Sequence, residues 1–414
     1  MSPIRVIVYD DEFEIAGNLA SQIKAVCGES QVTPADKDDF QQLMDLIHSR
    51  RIALREGDLD SPVSDSQSAD QADVIVVDYD LLGYSETSDT TGSRLAYLMR
   101  CFLKCGFIII LNRDRIPNPF YLTLGSPTDD FADLHVSSGQ IGHPGLWQAP
   151  FDGFRPWYWP LIPNANNDLE QCVRDVQENL DAPILSFFEL DRVIDWLPRP
   201  VRDFLERGQK SKRCEDVTFR DFAEYSSGVD RKDGLTPDQF ARVSAARIVT
   251  LLNLIILPEQ SVLVDAPHLV SRFPSLIQGG GADIEVWNSL CNPVSQEVSG
   301  LLDEGLRQYE FRRSHWLWRP AWYWPEISRD ESIVEVNDPW AAEEVSWVFC
   351  EDISRFVPID AAREFRAVVS PPFIRRFILD NDSPSTQRYV RHVGKGGPLD
   401  PCQIDYVPLS ALSM

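Results

Sequence analysis

The sequence predicts an α/β fold at its N-terminus, built on a doubly wound parallel sheet, followed by a mostly helical α+β region. Three observations lead there. The runs "IRVIVYDD" (4–11), "VIVVDYD" (74–80) and "GFIIIL" (106–111) are continuously apolar rather than alternating, as in strands covered on both faces. Segments with helical spacing separate them, which is the βα alternation of a parallel sheet. From residue 168 onward helical patterns dominate, with "DLEQCVRDVQENL", "PVRDFLERG", "TPDQFARVSAARIVTLLNLIIL" and "VSQEVSGLLDEGLRQYEF" following in turn.

Each element has its own signal. The first strand ends in Asp10 and Asp11. Ile15, Leu19, Ile23 and Val26 then recur on one helical face. "SQVTP" (30–34) reads as a short second strand, and Phe40, Leu43, Met44 and Ile47 mark a second helix. Residues 55–71 are polar, acidic and rich in turn formers, so they read as an exposed insertion. The strand ending at Asp78 follows, then a helix at 92–104 and the strand at 106–111. "ADLHVSS" (132–138) is the candidate fifth strand. Pro237 after Thr236 suits a capped helix start. These signals divide the chain into an α/β domain at 1–145, a Pro/Trp-rich connector at 146–167 and a largely helical region at 168–414.

Composition narrows the function classes. The 414 residues carry 43% hydrophobic and 10% aromatic residues, values of a globular chain long enough for more than one core. Net charge is −25, and residues 1–150 hold 23 acids and 11 bases, so the acidity is spread along the chain. Such a surface repels phosphate backbones and anionic lipid, which excludes direct nucleic-acid or membrane binding as the expectation. The eight cysteines form no CxxC and no Cys/His cluster with zinc spacing. The first residues lack a basic segment followed by an apolar one, and "IVTLLNLIILP" (248–258) is about half a membrane span in length, so it reads as a buried helix. A cytoplasmic protein is expected.

Ligands of open parallel sheets bind beyond the carboxyl ends of the strands, where Asp10, Asp11 and Asp78 all fall. Three carboxylates there suit one hard cation such as Mg²⁺. The "DD" of "VIVYDDE", the aspartate of "VIVVDYDL" and the helix start "TGSRLAYLMR" together resemble the receiver domain of bacterial response regulators, over residues 4 to about 140. The resemblance implies Asp78 as phosphoacceptor from a histidine kinase, with Asp10 and Asp11 as Mg²⁺ ligands. It also marks departures. Asn112 stands where the family has Thr or Ser, and the family's lysine after the fifth strand is missing, since no lysine occurs between Lys104 and Lys210. A degenerate receiver, or pseudo-receiver, is the expectation.

"VVDYDLL" also looks like the Asp-x-Asp start of haloacid-dehalogenase-type phosphatases. That likeness implies Asp78 as nucleophile, Asp80 as general acid and "SPTDDFAD" (126–133) as a source of Mg²⁺ ligands. Against it, the motif normally opens that fold, and here a strand with its own aspartate pair comes first.

Two short segments repeat: "RPWYWP" (155–160) and "RPAWYWP" (319–325). Trp157, Trp159, Trp322 and Trp324 read first as core anchors for irregular chain, and if exposed as a protein-binding surface. No recognition helix or known output enzyme follows the α/β domain. The expected role is therefore regulatory, an adaptor working through a protein partner.

Overall fold

The computed structural model describes residues 3–28, 30–56, 68–81, 91–112, 131–149, 151, 153–208, 211–226, 234–278, 283–293, 295–333, 346–364 and 375–380. The chain divides into two compact units. Unit 1 comprises residues 1–148, 162–187 and 203–250, and unit 2 comprises 149–161, 188–202 and 251–414.

Unit 1 contains the parallel sheet. Its elements run β1 (Arg5–Tyr9), α1 (Phe13–Cys27), β2 (Gln31–Pro34), α2 (Lys37–Glu56), β3 (Val74–Asp78), α3 (Gly92–Phe102), β4 (Phe107–Asn112) and β5 (Leu134–Ser137). A one-turn helix α4 (Pro144–Trp147) and the long α5 (Ile162–Glu178) follow. All strand pairs are parallel, in the order β2-β1-β3-β4-β5. Both faces are buried, which is why the strands lack alternation. Ile7, Tyr9, Ile75, Val77, Ile108 and Ile110 meet Phe40, Leu43, Leu46 and Ile47 of α2 and Leu95, Met99 and Phe102 of α3. The alternate residues Val6, Val8, Val74, Val76, Phe107 and Ile109 are equally buried, with α1 packed on β1 and α5 on β4.

Burial of a single charge pair ties this sheet to α3. Arg100 and Asp133, 2% and 1% exposed, form an ion pair; Asp133 also accepts from the Ile108 N–H at 2.6 Å. Gly106, at the entry to β4, is required by close packing. A Cβ there would lie 2.0 Å from Asn166 Oδ1 and 2.3 Å from the Asp73 carbonyl. Asn166 of α5 uses that approach to accept from the Phe107 N–H at 3.1 Å.

The domain boundaries differ from those read along the sequence. α5 begins inside the proposed connector at 146–167 and belongs to unit 1, because Ile162, Ala165, Leu169, Cys172 and Val176 form a buried face. The helix Pro237–Thr250 also lies in unit 1, against α3 and α5. Thr236 and Gln239 cap it reciprocally, at 2.8 and 3.3 Å, as the Thr-Pro signal predicts. Of the acidic insertion, residues 57–67 lie outside the described residues. Its last four residues correct the reading of 55–71 as wholly exposed: Ser68–Gln71 form a 3₁₀ turn with Ala69 buried and Asp70 paired to Arg50 at 2.5 Å.

Unit 2 is α+β. A four-stranded sheet has the order β10-β11-β8-β9, with β8 Trp347–Cys350, β9 Arg355–Pro358, β10 Ala362–Glu364 and β11 Phe377–Leu379. A separate antiparallel pair joins β6 (Leu263–Asp265) to β7 (Ala321–Tyr323). The apolar run at 248–258 lies within a helical stretch, Pro237–Glu259, of 23 residues, long and apolar enough to cross a membrane by length and composition; 83% of its most apolar window is buried. Its polar residue Asn253 reads backbone, donating to the Trp316 carbonyl at 2.9 Å and accepting from the Trp318 N–H at 2.7 Å. The helix predicted over 294–311 is instead a short helix at Ser295–Ser299 and a 3₁₀ turn at Glu304–Tyr309. Leu302 bridges to Ile277 between them, and Asp303 caps the second piece through the Gly305 N–H.

Candidate metal centre

β1 and β3 are neighbours in register, Tyr9 opposite Val77, so the next residues, Asp10 and Asp78, leave the sheet side by side. With Asp11 they form a cluster in which one oxygen from each carboxylate lies within 4.8 Å of the others. Asp10 and Asp78 are each 1% exposed, and Asp11 is half-buried. Local structure holds the group in place. Asp10 Oδ1 accepts from the Glu12 N–H at 2.9 Å, which turns the chain into α1. At the other strand, a Cβ on Gly92 would sit 2.7 Å from the Asp78 carbonyl, so only glycine lets α3 start so close to β3. Thr91 caps that helix, accepting from the Arg94 N–H.

Carboxylates grouped this closely and buried repel one another, and all-oxygen donors suit a hard divalent ion such as Mg²⁺. Asp10, Asp11 and Asp78 are the residues that would hold it. Asn112 ends β4 one step beyond Leu111, the partner of Asp78, and pairs in register with Ser137 at the end of β5. The place of the resembled family's lysine is thus a neutral strand end.

Of the acids in the phosphatase likeness, Asp80 lies exposed just past β3 and bridges to Thr91. Asp133 is committed to Arg100 and the Ile108 N–H, three residues before Leu111 on β4, and residues 126–130 lie outside the described residues. His143 caps α4, accepting from the Gly145 N–H at 3.0 Å.

The four tryptophans offered as partner-binding candidates are corrected by their burial. Trp157, Trp159, Trp322 and Trp324 are all 5% exposed or less. Trp157 is a hub within unit 2. Its indole N–H donates to Glu351 Oε2 at 2.8 Å, its carbonyl accepts from Arg319 Nε, and its ring meets His268 at 5.2 Å. Trp322 lies in β7 opposite Val264, and Trp324 meets Phe273.

Around Trp157 lies a buried ionic network that sequence reasoning missed. His268 Nδ1 stands 2.6 Å from Asp265 Oδ1 and its Nε2 3.0 Å from Glu351 Oε1, and Arg376 Nε also bonds Glu351. A carboxylate at each ring nitrogen favours the imidazolium form. Burial opposes that charge, but Asp265 and Glu351 outweigh it and raise the pKa of His268. Burial likewise disfavours the Glu351 carboxylate, yet Arg376 and His268 bring its pKa down to about 2. The available signal was the Asp-x-x-His of "VDAPHLV", which reads locally as a helix cap; Asp265 does cap that helix.

No family model, curated protein or solved structure matches this chain.

Proposed function

We propose that unit 1 is a degenerate receiver domain that binds Mg²⁺ through Asp10, Asp11 and Asp78 and serves a regulatory or adaptor protein of the cytoplasm, working through a protein partner. One observation carries this reading: three carboxylates within 4.8 Å at the carboxyl ends of adjacent strands, in a parallel sheet of order 2-1-3-4-5. That order is one of the common doubly wound arrangements, and its ligands sit at this edge. Mg²⁺ bound there supplies charge that offsets the three acids. Of the chain's own groups, Asp78 is the acceptor in place for a phosphoryl group. Asn112 and Ser137, both neutral, end the two neighbouring strands, so neither of them offers phosphoryl oxygens a cation. Docking regulated by metal, rather than by phosphorylation, fits this set.

The test is a melting series with EDTA, Mg²⁺, and Mg²⁺ plus beryllofluoride, on wild type and Asp78→Asn. Mg²⁺ should raise the melting temperature of wild type, and beryllofluoride should add little. The variant should melt higher than wild type in EDTA and respond weakly to Mg²⁺. No Mg²⁺ shift would reduce the trio to a strand-end cluster. A large beryllofluoride shift confined to wild type would restore a working phospho-switch, and steady turnover of a phosphomonoester would favour the phosphatase.

A further inference from the structure

The two repeated segments each begin with an arginine, and both arginines are buried in unit 2. Arg155 is 7% exposed and Arg319 is 4% exposed. Their surroundings differ. Arg319 donates to the Trp157 carbonyl, the Cys291 carbonyl and, at 2.5 Å, to Ser354 Oγ. The Arg155 backbone is anchored, its N–H donating to the Asp352 carbonyl at 2.8 Å. Its guanidinium is not. Nε is sealed from solvent without an acceptor, and among the described residues no carboxylate or other hydrogen-bond partner reaches the group.

A guanidinium is among the costliest groups to bury without a counter-ion. Burial, and then the charge of Arg319 nearby, pull the pKa of Arg155 down to about 9, which still leaves it cationic at neutral pH. The neighbouring acids are committed elsewhere. Glu351 takes Arg376, His268 and Trp157, Asp265 takes His268, and both oxygens of Asp352 accept from the Leu379 N–H at 3.0 and 3.2 Å. Among the described residues no acid neutralises Arg155, and the charge of Arg319 acts on it.

We propose that Arg155, with Arg319 beside it, forms a buried binding site in unit 2 for a phosphate-type oxyanion. The planar fork of a guanidinium pairs two N–H donors with two oxygens of such an ion, and paired guanidinium charges match its charge of about −1.5 to −2 at neutral pH. Lack of exposure restricts the ligand to a small ion or to a terminal phosphoryl group that reaches in. The site is independent of the aspartates of unit 1.

The experiment uses the full chain in EDTA, so that no metal at the unit 1 aspartates recruits the anion. Intrinsic tryptophan fluorescence reports on unit 2, because all of the 11 tryptophans except Trp147 lie there. Inorganic phosphate should raise the melting temperature by about 5 °C at saturation over chloride of equal ionic strength. Adenosine monophosphate in a parallel arm distinguishes a free ion from a carried phosphoryl group: an equal shift indicates the carried group, no shift the free ion. Arg155→Met should lose the phosphate shift yet melt in chloride at or above wild type, since a buried charge is gone. Arg155→Lys should keep part of the shift. Equal phosphate shifts in wild type and Arg155→Met, or a much lower melting point of Arg155→Met in chloride, would overturn the site. Should Arg155→Met not fold, ³¹P line broadening of phosphate by wild type, reduced in Arg155→Lys, decides; no broadening by wild type rejects the proposal.

Discussion

The two units bury acids in opposite ways. In unit 2, Glu351 and Asp265 are enclosed with His268 and Arg376, so each negative charge has a positive neighbour at hydrogen-bond distance. In unit 1, Asp10 and Asp78 are as deeply buried but stand beside Asp11, another acid. Compensated charge needs only the chain to explain it. Grouped carboxylates repel one another, and that grouping of oxygen donors is what suits a bound cation. Unit 1 itself contains both cases, since Arg100 and Asp133 are paired at the start of the sheet while the three aspartates cluster at its other end.

Breaking the compensated network should give the largest effect. Glu351→Gln keeps the shape but leaves Arg376 and the His268 imidazolium without their carboxylate, and should cost about 3–5 kcal/mol. Trp157→Ala removes a fully buried indole and the hydrogen bond to the same carboxylate, and should cost a similar amount, about 3–5 kcal/mol. Denaturant unfolding followed by fluorescence measures the first, and circular dichroism the second, which has lost a reporter. If either variant stays within about 1 kcal/mol of wild type, the network is not what holds unit 2 together.

The pH profile sharpens the contrast at an intermediate scale, about 2 kcal/mol. His268 has a raised folded pKa, so its contribution is complete below the ordinary 6.5 and fades as pH rises through the folded value. Asp352 acts in the same direction. Burial pushes its carboxyl from 3.8 to about 6, against the pull of the Leu379 N–H, so its contribution is complete below 3.8 and is lost as pH climbs through about 6. Glu351 runs the other way. Its stabilisation is present above 4.5 and disappears as pH falls towards about 2. Unit 2 should therefore be most stable close to about pH 4.5, where Glu351 is ionised while His268 and much of Asp352 keep their protons, and soften progressively towards and above neutrality. His268→Gln should flatten the alkaline limb. A melting temperature that climbs steadily from pH 5 to pH 8 would contradict the protonated ring.

What the sequence disclosed follows the same division. β1, β3 and β4 were legible because burial on both faces leaves uninterrupted apolar runs, and the acids at their ends were legible by position. The body of α5 was legible in "DLEQCVRDVQENL", but its start was hidden because the first turn, "IPNAN", reads as loop, although Ile162 and Ala165 face the core. The strands of unit 2 are three or four residues long, too short to show alternation. The ionic network was illegible because its partners are remote: Trp157 and Glu351 stand 194 residues apart, and no local spacing links them.

The smallest effect comes from adding a positive charge near the aspartates of unit 1. Ser137 ends β5, in register with Asn112 on β4, which in turn follows the partner of Asp78. Strands lie about 4.8 Å apart, so β5 is about 10 Å from β3, within reach of an extended lysine side chain. Ser137→Lys brings one positive charge toward three carboxylates at the cost of crowding a buried position and disturbing the turn at Gln140, whose side chain accepts from the Ser137 N–H. The net gain in metal-free stability should be about 0.5–1 kcal/mol, read as a small rise in melting temperature in EDTA. The same charge should weaken the Mg²⁺ shift, because it competes for the carboxylates, and enlarge the response to beryllofluoride, because the fluoride atoms gain a cation. The double variant with Asp78→Asn supplies the control. With one carboxylate removed, the lysine should gain less than it does in wild type. Equal effects in both backgrounds would mean that the end of β5 does not face the aspartates.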